Sequence, residues 1–399
     1  MPSLDGLRGL AALAIFTFHG WLYTMPTPSA SDRSTVGDYA VHELRLGLVL
    51  FFVLSGFLLS RPWFAAALQA RRPPDLRSYL RARVARVGPA YYVALVGSIG
   101  LLWGLSGTPG LRLPPVEELP LFFVFAQNTS PSSVMKLNPP MWSLGVEVSF
   151  YALLPAIGWL ATRLAPRRRW QALAPLALLA LGLLWNWSIA GQGLGLTFSK
   201  TLAAMLPYFA VGMLAALVLH GRTPAAWLRR AMIAGGLGLV AADAVVKAMV
   251  PAAGLDVAPY FSIIRDLPSG VGFALIVAAV AAGQVSRLLG TRLLAGMGII
   301  SYGFYLWHVP VLMFLRGHGL LPLDPLLGTL VALVPSVALA TLSWFAIERP
   351  IIGWAARRNE RARDERRERE GRRAAERRAS GGSGVDRRAG GREVGTVRA

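Results

Sequence analysis

Two ionisable side chains, Arg8 and His19, sit inside the first hydrophobic stretch, LDGLRGLAALAIFTFHGWLY. They are eleven residues apart. On an α-helix, at about 100° per residue, eleven steps return to within roughly 20° of the starting direction. The rise over those steps is about 16 Å. One face of one helix therefore carries a guanidinium near one end and an imidazole about three turns further on. Neutral imidazole takes and returns protons near pH 7. Charged groups in hydrocarbon are costly and turn toward a protein interior or a wet cavity. Two plainer readings stand beside this one: Arg8 as a charged anchor near the membrane surface, and His19 as a helix–helix hydrogen bond.

Three further constellations carry the same kind of signal. In NPPMWSLGVEVSFYALLP, Ser143, Glu147 and Tyr151 recur every four residues and share a helix face. Glu147 falls one to two turns inside the membrane, at a depth similar to that of His19. A base and an orienting carboxylate at one depth on two helices form an acid–base pair; a packing link is the alternative. In SYGFYLWHVPVLMF, Tyr302, Tyr305 and His308 recur every three residues. That stripe reads either as an aromatic belt or as an acceptor-side or structural wall, and His308 is deeper than a belt requires. In SYLRARVARVGPAYY, Arg83 and Arg86 are three apart, with Tyr79 below them. Guanidiniums clustered at a membrane surface suit phosphate, which they bind bidentately; an ordinary basic loop is the alternative. Both arginines are expected to be exposed and dispensable for folding.

The elements that must hold these groups are membrane helices. Of 399 residues, 54% are hydrophobic and 16% charged. Apolar runs recur throughout, which marks an all-α polytopic bundle of about ten transmembrane helices. The expected spans are 4–23, 46–68, 87–105, 142–164, 172–187, 201–219, 231–250, 269–285, 299–315 and 326–347. A Pro-rich segment, 106–141, contains an apolar piece at 119–126 that is too short to cross and lies at the interface or re-enters. The length of the first run and its interruption by His19 argue against a cleavable signal peptide.

The net charge of +20 is distributed as in membrane loops, so a nucleic-acid platform is excluded. One alternate set of loops is rich in arginine, including Arg81, Arg83 and Arg86, then Arg167, Arg168 and Arg169, then Arg229 and Arg230, then Arg287 and Arg292. The other set is sparser, with Arg33, Arg112, Lys136, Arg265 and Arg316. Positive-inside logic then puts both termini, Met1 and Ala399, in the cytoplasm. Residues 1–355 form the membrane domain. Residues 356–399, with 15 arginines against 8 acidic residues, read as a basic cytoplasmic tail: a solvated helix fading into disorder. There is no cysteine, hence no disulfide, thiolate nucleophile or thiolate metal site. No metal site is expected, and no Gly-rich phosphate loop, HExxH or GxSxG motif occurs.

Taken together, LDGLRGLAAL with its Arg8–His19 spacing, FFVLSGFLLS, the Arg83/Arg86 pair before Pro89, WSLGVEVSFY, SYGFYLWH, and Glu348–Arg349–Pro350 resemble the acyltransferase-3 family of integral membrane acyltransferases, across residues 3–355. The resemblance implies a ten-helix bundle in the bacterial inner membrane. It implies transfer of an acyl group, often acetyl, from cytoplasmic acyl-CoA to a hydroxyl. Acceptors in the family are commonly extracytoplasmic glycans, and some relatives acylate macrolides. Acyl-CoA is then a co-substrate and no permanently bound cofactor is implied. The partners are the lipid bilayer and a glycan or glycosylated metabolite. On this reading His19 and Glu147 are catalytic, Arg8, Arg83 and Arg86 bind the donor, and Ser143, Tyr302, Tyr305 and His308 are acceptor-side or structural. The competing classes are a secondary transporter or lipid-linked sugar flippase and a non-catalytic membrane partner. Acyl-CoA binding separates the first reading from both.

Overall fold

In a bilayer, backbone groups must be satisfied within the spanning segment, so long apolar runs become helices. A computed structural model describes residues 2–28, 35–164, 166–192, 195–252, 263–283 and 289–382. Ten helices carry the bundle: α1 (Pro2–Thr24), α2 (Gly47–Leu68), α3 (Leu76–Leu102), α4 (Trp142–Arg163), α5 (Leu173–Gln192), α6 (Leu202–Leu219), α7 (Ala226–Ala252), α8 (Leu267–Ala281), α9 (Arg292–Gly317) and α10 (Pro325–Ser343). Eight of them are long and apolar enough to cross a membrane. The other two are α8, apolar but only 15 residues long, and α1, which carries Asp5, Arg8 and His19. The count of about ten spans is therefore approximate. Among the described residues no strand occurs. Met1, Arg33, Arg287 and Ala399 lie outside the described residues.

Helices α1 and α9 pack side by side along most of their length. Small residues allow this: a Cβ on Gly298 would collide with the Asp5 carbonyl, and one on Gly9 with the Leu294 carbonyl. The close approach brings the Arg8–His19 face of α1 against the Tyr302–Tyr305–His308 stripe of α9.

Proline inside a helix removes one donor and strands the carbonyl four residues earlier. Two such carbonyls have found partners from elsewhere in the chain. Pro155 frees the carbonyl of Tyr151, and the Tyr79 hydroxyl on α3 donates to it at 3.1 Å. Pro310 frees the carbonyl of Leu306, and the Asn138 amide donates to it at 2.9 Å. Asn138 ends the segment between α3 and α4, and this bond ties that segment to the middle of α9. Replacing Asn138 by leucine should destabilise the protein by about 1–3 kcal/mol by leaving a buried carbonyl unpaired. Adding Pro310→Ala, which restores the missing N–H, should recover part of that loss in a thermal melt.

The segment at 119–126 does not cross the membrane. It forms a short helix, Leu119–Phe123, with Phe122 buried and its carbonyl taking the Tyr91 hydroxyl at 2.7 Å. The segment is fastened by side-chain amides: Gln127 donates to the Met141 carbonyl at 2.7 Å and Asn128 to that of Trp142 at 2.8 Å. At the other end of the bundle, α10 passes through a π-helical turn, Trp344–Glu348, into α11 (Arg349–Gly382). That helix runs without a break through residue 356, where the tail was expected to begin. Residues beyond 382 lie outside the described part.

Candidate active site

His19 near the end of α1 meets His308 on α9, with His19 Nδ1 2.9 Å from His308 Nε2. The other nitrogen of His308, Nδ1, lies 3.2 Å from the Phe304 carbonyl. A carbonyl oxygen only accepts, so in the neutral pair Nδ1 of His308 carries its proton and Nε2 is bare. His308 Nε2 then accepts from His19 Nδ1–H, and the lone pair of His19 Nε2 remains free. A hydrogen-bond chain of this kind fixes ring orientation and tautomer together. Tyr23 stacks on His19, and Phe16 meets His308 edge-on.

The Tyr305 ring packs beside His308, at 5.7 Å between centroids. Its hydroxyl lies 2.8 Å from Ser143 Oγ, and both hydroxyls are 3.0 Å from the Pro140 carbonyl. The Pro139–Pro140–Met141 turn that opens α4 therefore docks on α9 through Ser143, one turn above Glu147. Glu147 makes no hydrogen bond with His19. It accepts from Ser55 on α2 at 2.7 Å and faces Arg8 across a narrow cavity of about 50 Å³. The partner of His19 is His308, where the equal-depth argument pointed to Glu147.

Three cavities follow one another along the bundle. The first, about 230 Å³, is lined by His19, Phe52, Tyr305 and a group of charged residues. The narrow second cavity shares Phe52 and Tyr305 with it and adds Ser143, Glu147, Tyr302 and Arg8. The third, about 370 Å³, begins at Arg8 and is lined by Arg83, Arg86, Asn359 and Arg363. Arg8 thus lies between the second and third cavities. Its Nε is buried with no hydrogen-bond partner among the described residues, and the same holds for Nε of Arg83.

Arg83 and Arg86 are less exposed than a basic loop implies. Arg83 lies over the Tyr151 ring, 5.8 Å from its centroid. Arg86 lies between Tyr302 and Trp344, with centroids at 5.7 and 5.9 Å. Its guanidinium is 3.6 Å from the Glu348 carboxylate, and the two side chains are 19% and 1% exposed. The expectation that both are freely exposed is corrected for Arg86, because the π-helical turn swings Glu348 inward beneath it. Tyr302 donates to the Val87 carbonyl at 2.8 Å, so it braces the helix that carries the arginine pair.

Two contributors escape a sequence reading. Glu348 is one: the motif that contains it is visible, but nothing local pairs it with a residue 262 positions earlier. The other is α11, which roofs the third cavity and clasps α3. Asn359 accepts from Arg81 at 2.7 Å and donates to the Ser78 carbonyl at 3.0 Å. Arg366 donates to Asp75 at 2.7 Å. The Ser78 N–H and then the Arg366 guanidinium hold the Asp75 carboxyl down at about 2. A depressed carboxyl contributes stability that is present above its unfolded value near 4 and is lost as pH falls toward 2.

The sequence profile of the acyltransferase domain matches residues 1–345. The acyltransferase MdmB of Streptomyces mycarofaciens is 28% identical over 339 residues, which cover 80% of this chain and 81% of that protein. Nodulation protein 10 of Rhizobium leguminosarum bv. viciae is 28% identical over 375 residues, 87% of this chain and 92% of that protein. The O-acetyltransferase OatA of Staphylococcus aureus is 24% identical over 377 residues, 88% of this chain but only 57% of OatA's own length. No solved structure matches the chain.

Proposed function

The chain belongs to the acyltransferase-3 family, and from that premise we propose that it moves an acetyl or other short acyl group from acyl-CoA to a hydroxyl of a carbohydrate or glycosylated acceptor. The observation that carries this reading is the row of three cavities, arginine-rich at the α11 end and histidine-lined at the other. A donor with several phosphates and a thin thioester-bearing arm suits that gradient. The phosphates bind at Arg83 and Arg86 by charge-assisted hydrogen bonds. The arm runs past Arg8, whose unpaired Nε offers a donor part-way. The thioester carbonyl then arrives between Glu147 and His19.

The acceptor enters the first cavity. His19 Nε2 takes the proton of its hydroxyl as the oxygen attacks the thioester carbon. The C–O bond forms, the C–S bond breaks, and the imidazolium returns the proton to the departing thiolate. His308 orients the base and spreads the transient positive charge. Glu147 faces Arg8 beside the path of the arm and holds α2 by way of Ser55. The name of OatA supports acetyl as the group, and that of MdmB supports acyl transfer.

The protein resides in the bacterial cell membrane, with the α11 end in the cytoplasm and the His19 end outside. In sealed vesicles of known orientation, acetyl-CoA should therefore be productive only on the face bearing α11. An impermeant acceptor should be productive only on the opposite face. Productive use of both substrates from the α11 face alone would overturn the through-bundle route.

A further inference from the structure

The cavity lined by His19 also holds charged residues that acyl transfer itself does not require. Arg45, Lys200, Arg265 and Asp266 line it together with His19. The single carboxylate is fully engaged. Asp266 accepts both Nη atoms of Arg45 at 2.9 Å, and Lys247 Nζ at 2.7 Å. Arg45 is matched in turn, since it also reaches Glu43 at 3.2 Å. Lys200 and Arg265 are different. The Lys200 ammonium lies over the Trp142 ring, 4.2 Å from its centroid, and pairs with no carboxylate among the described residues. Arg265 donates to the Ser199 carbonyl at 3.1 Å and likewise has no acidic partner there. Its φ of 53° is a conformation that residues with side chains rarely adopt.

Lys200 and Arg265 line the cavity that also contains the proposed base, with no carboxylate partner among the described residues, and an anion bound beside them favours the charged form of both. Both are also hydrogen-bond donors. We propose that Lys200 and Arg265 bind an anionic group of the acceptor, a carboxylate or a phosphate ester on a sugar, and so hold a hydroxyl of that sugar at His19. This rests on the acyl-transfer reading and names its acceptor class. The aromatic face beneath Lys200 adds a surface on which the ammonium is held in place.

The test uses the purified full-length protein in lipid nanodiscs and three probes: methyl β-D-glucuronide, methyl β-D-glucoside 6-phosphate and the neutral methyl β-D-glucoside. Calorimetry should show at least one charged probe binding tenfold or more tighter than the neutral one, and the tighter of the two names the anion. In the Lys200→Met, Arg265→Gln double variant that advantage should fall below about twofold, with acetyl-CoA affinity kept as the check on folding. The charge-keeping exchange Lys200→Arg, Arg265→Lys should retain most of the advantage. Equal binding of all three probes to the wild type would overturn the proposal, as would a charge preference that survives in the double variant. Failure of the acyl-transfer reading looks different: the wild type would not bind acetyl-CoA, whatever its preference among glycosides.

Discussion

Alanine at His19 is expected to lower acyl transfer by roughly 10²- to 10⁴-fold, the usual worth of a positioned general base. The reason is the free lone pair on His19 Nε2, which the chain from the Phe304 carbonyl through His308 leaves facing the cavity. His308 does not take its place, because it is buried behind it with both nitrogens engaged. Donor affinity should be unchanged, since the arginines lie at the far end of the cavity row. Alanine at His308 should cost less in rate than alanine at His19, since it removes the orienting partner and leaves the base. The measurement is single-turnover transfer at saturating acetyl-CoA. Near wild-type transfer by His19→Ala would remove the base from the mechanism, and an acyl group trapped on His19 would make it a nucleophile instead.

Alanine at Arg86 should be nearly as damaging, in a different way. Its Glu348 partner is 1% exposed, and removing one member of a buried ion pair typically costs about 3–5 kcal/mol. The variant should melt earlier and use acetyl-CoA poorly. Pairing it with Glu348→Gln removes the stranded charge and should restore much of the melting temperature while KM for the donor stays high. Arg83→Ala, which strands no carboxylate, should raise KM alone. If the double variant regains donor affinity along with stability, Arg86 serves only the fold.

Local spacing made much of this legible. The Arg8–His19 face, the Tyr302–Tyr305–His308 stripe and the Ser143–Glu147 row are one-helix patterns, and a 3.6-residue period reads them directly. Which patterns touch is a different matter. Helical period gives direction and depth but not the neighbour: depth alone pairs His19 with Glu147, while the fold gives it His308. The offset comes from the Pro139–Met141 turn, which seats Ser143 at the level of Tyr305 and leaves Glu147 below, opposite Arg8. Long-range side-chain bonds were invisible for the same reason. Neither the amide of Asn138 on the Leu306 carbonyl nor the carboxylate of Glu348 under Arg86 leaves a local trace. The π-helical turn that sets Glu348 inward depends on packing, so it is silent in hydropathy.

The His19–His308 contact joins residues 289 positions apart, and this bears on how the protein is made. At about 5–20 residues per second, a ribosome needs on the order of a quarter of a minute to a minute to pass from one histidine to the other. Throughout that interval α1 is in the membrane without the helix that covers its polar face. A guanidinium and an imidazole then face lipid or a provisional neighbour, at an energetic penalty. Retention of the nascent first helix beside the insertion machinery would shield it until α9 emerges. A chain that stops short of α9 should remain marked by that uncovered face and be degraded faster than the finished protein, which pulse labelling of truncated chains would reveal.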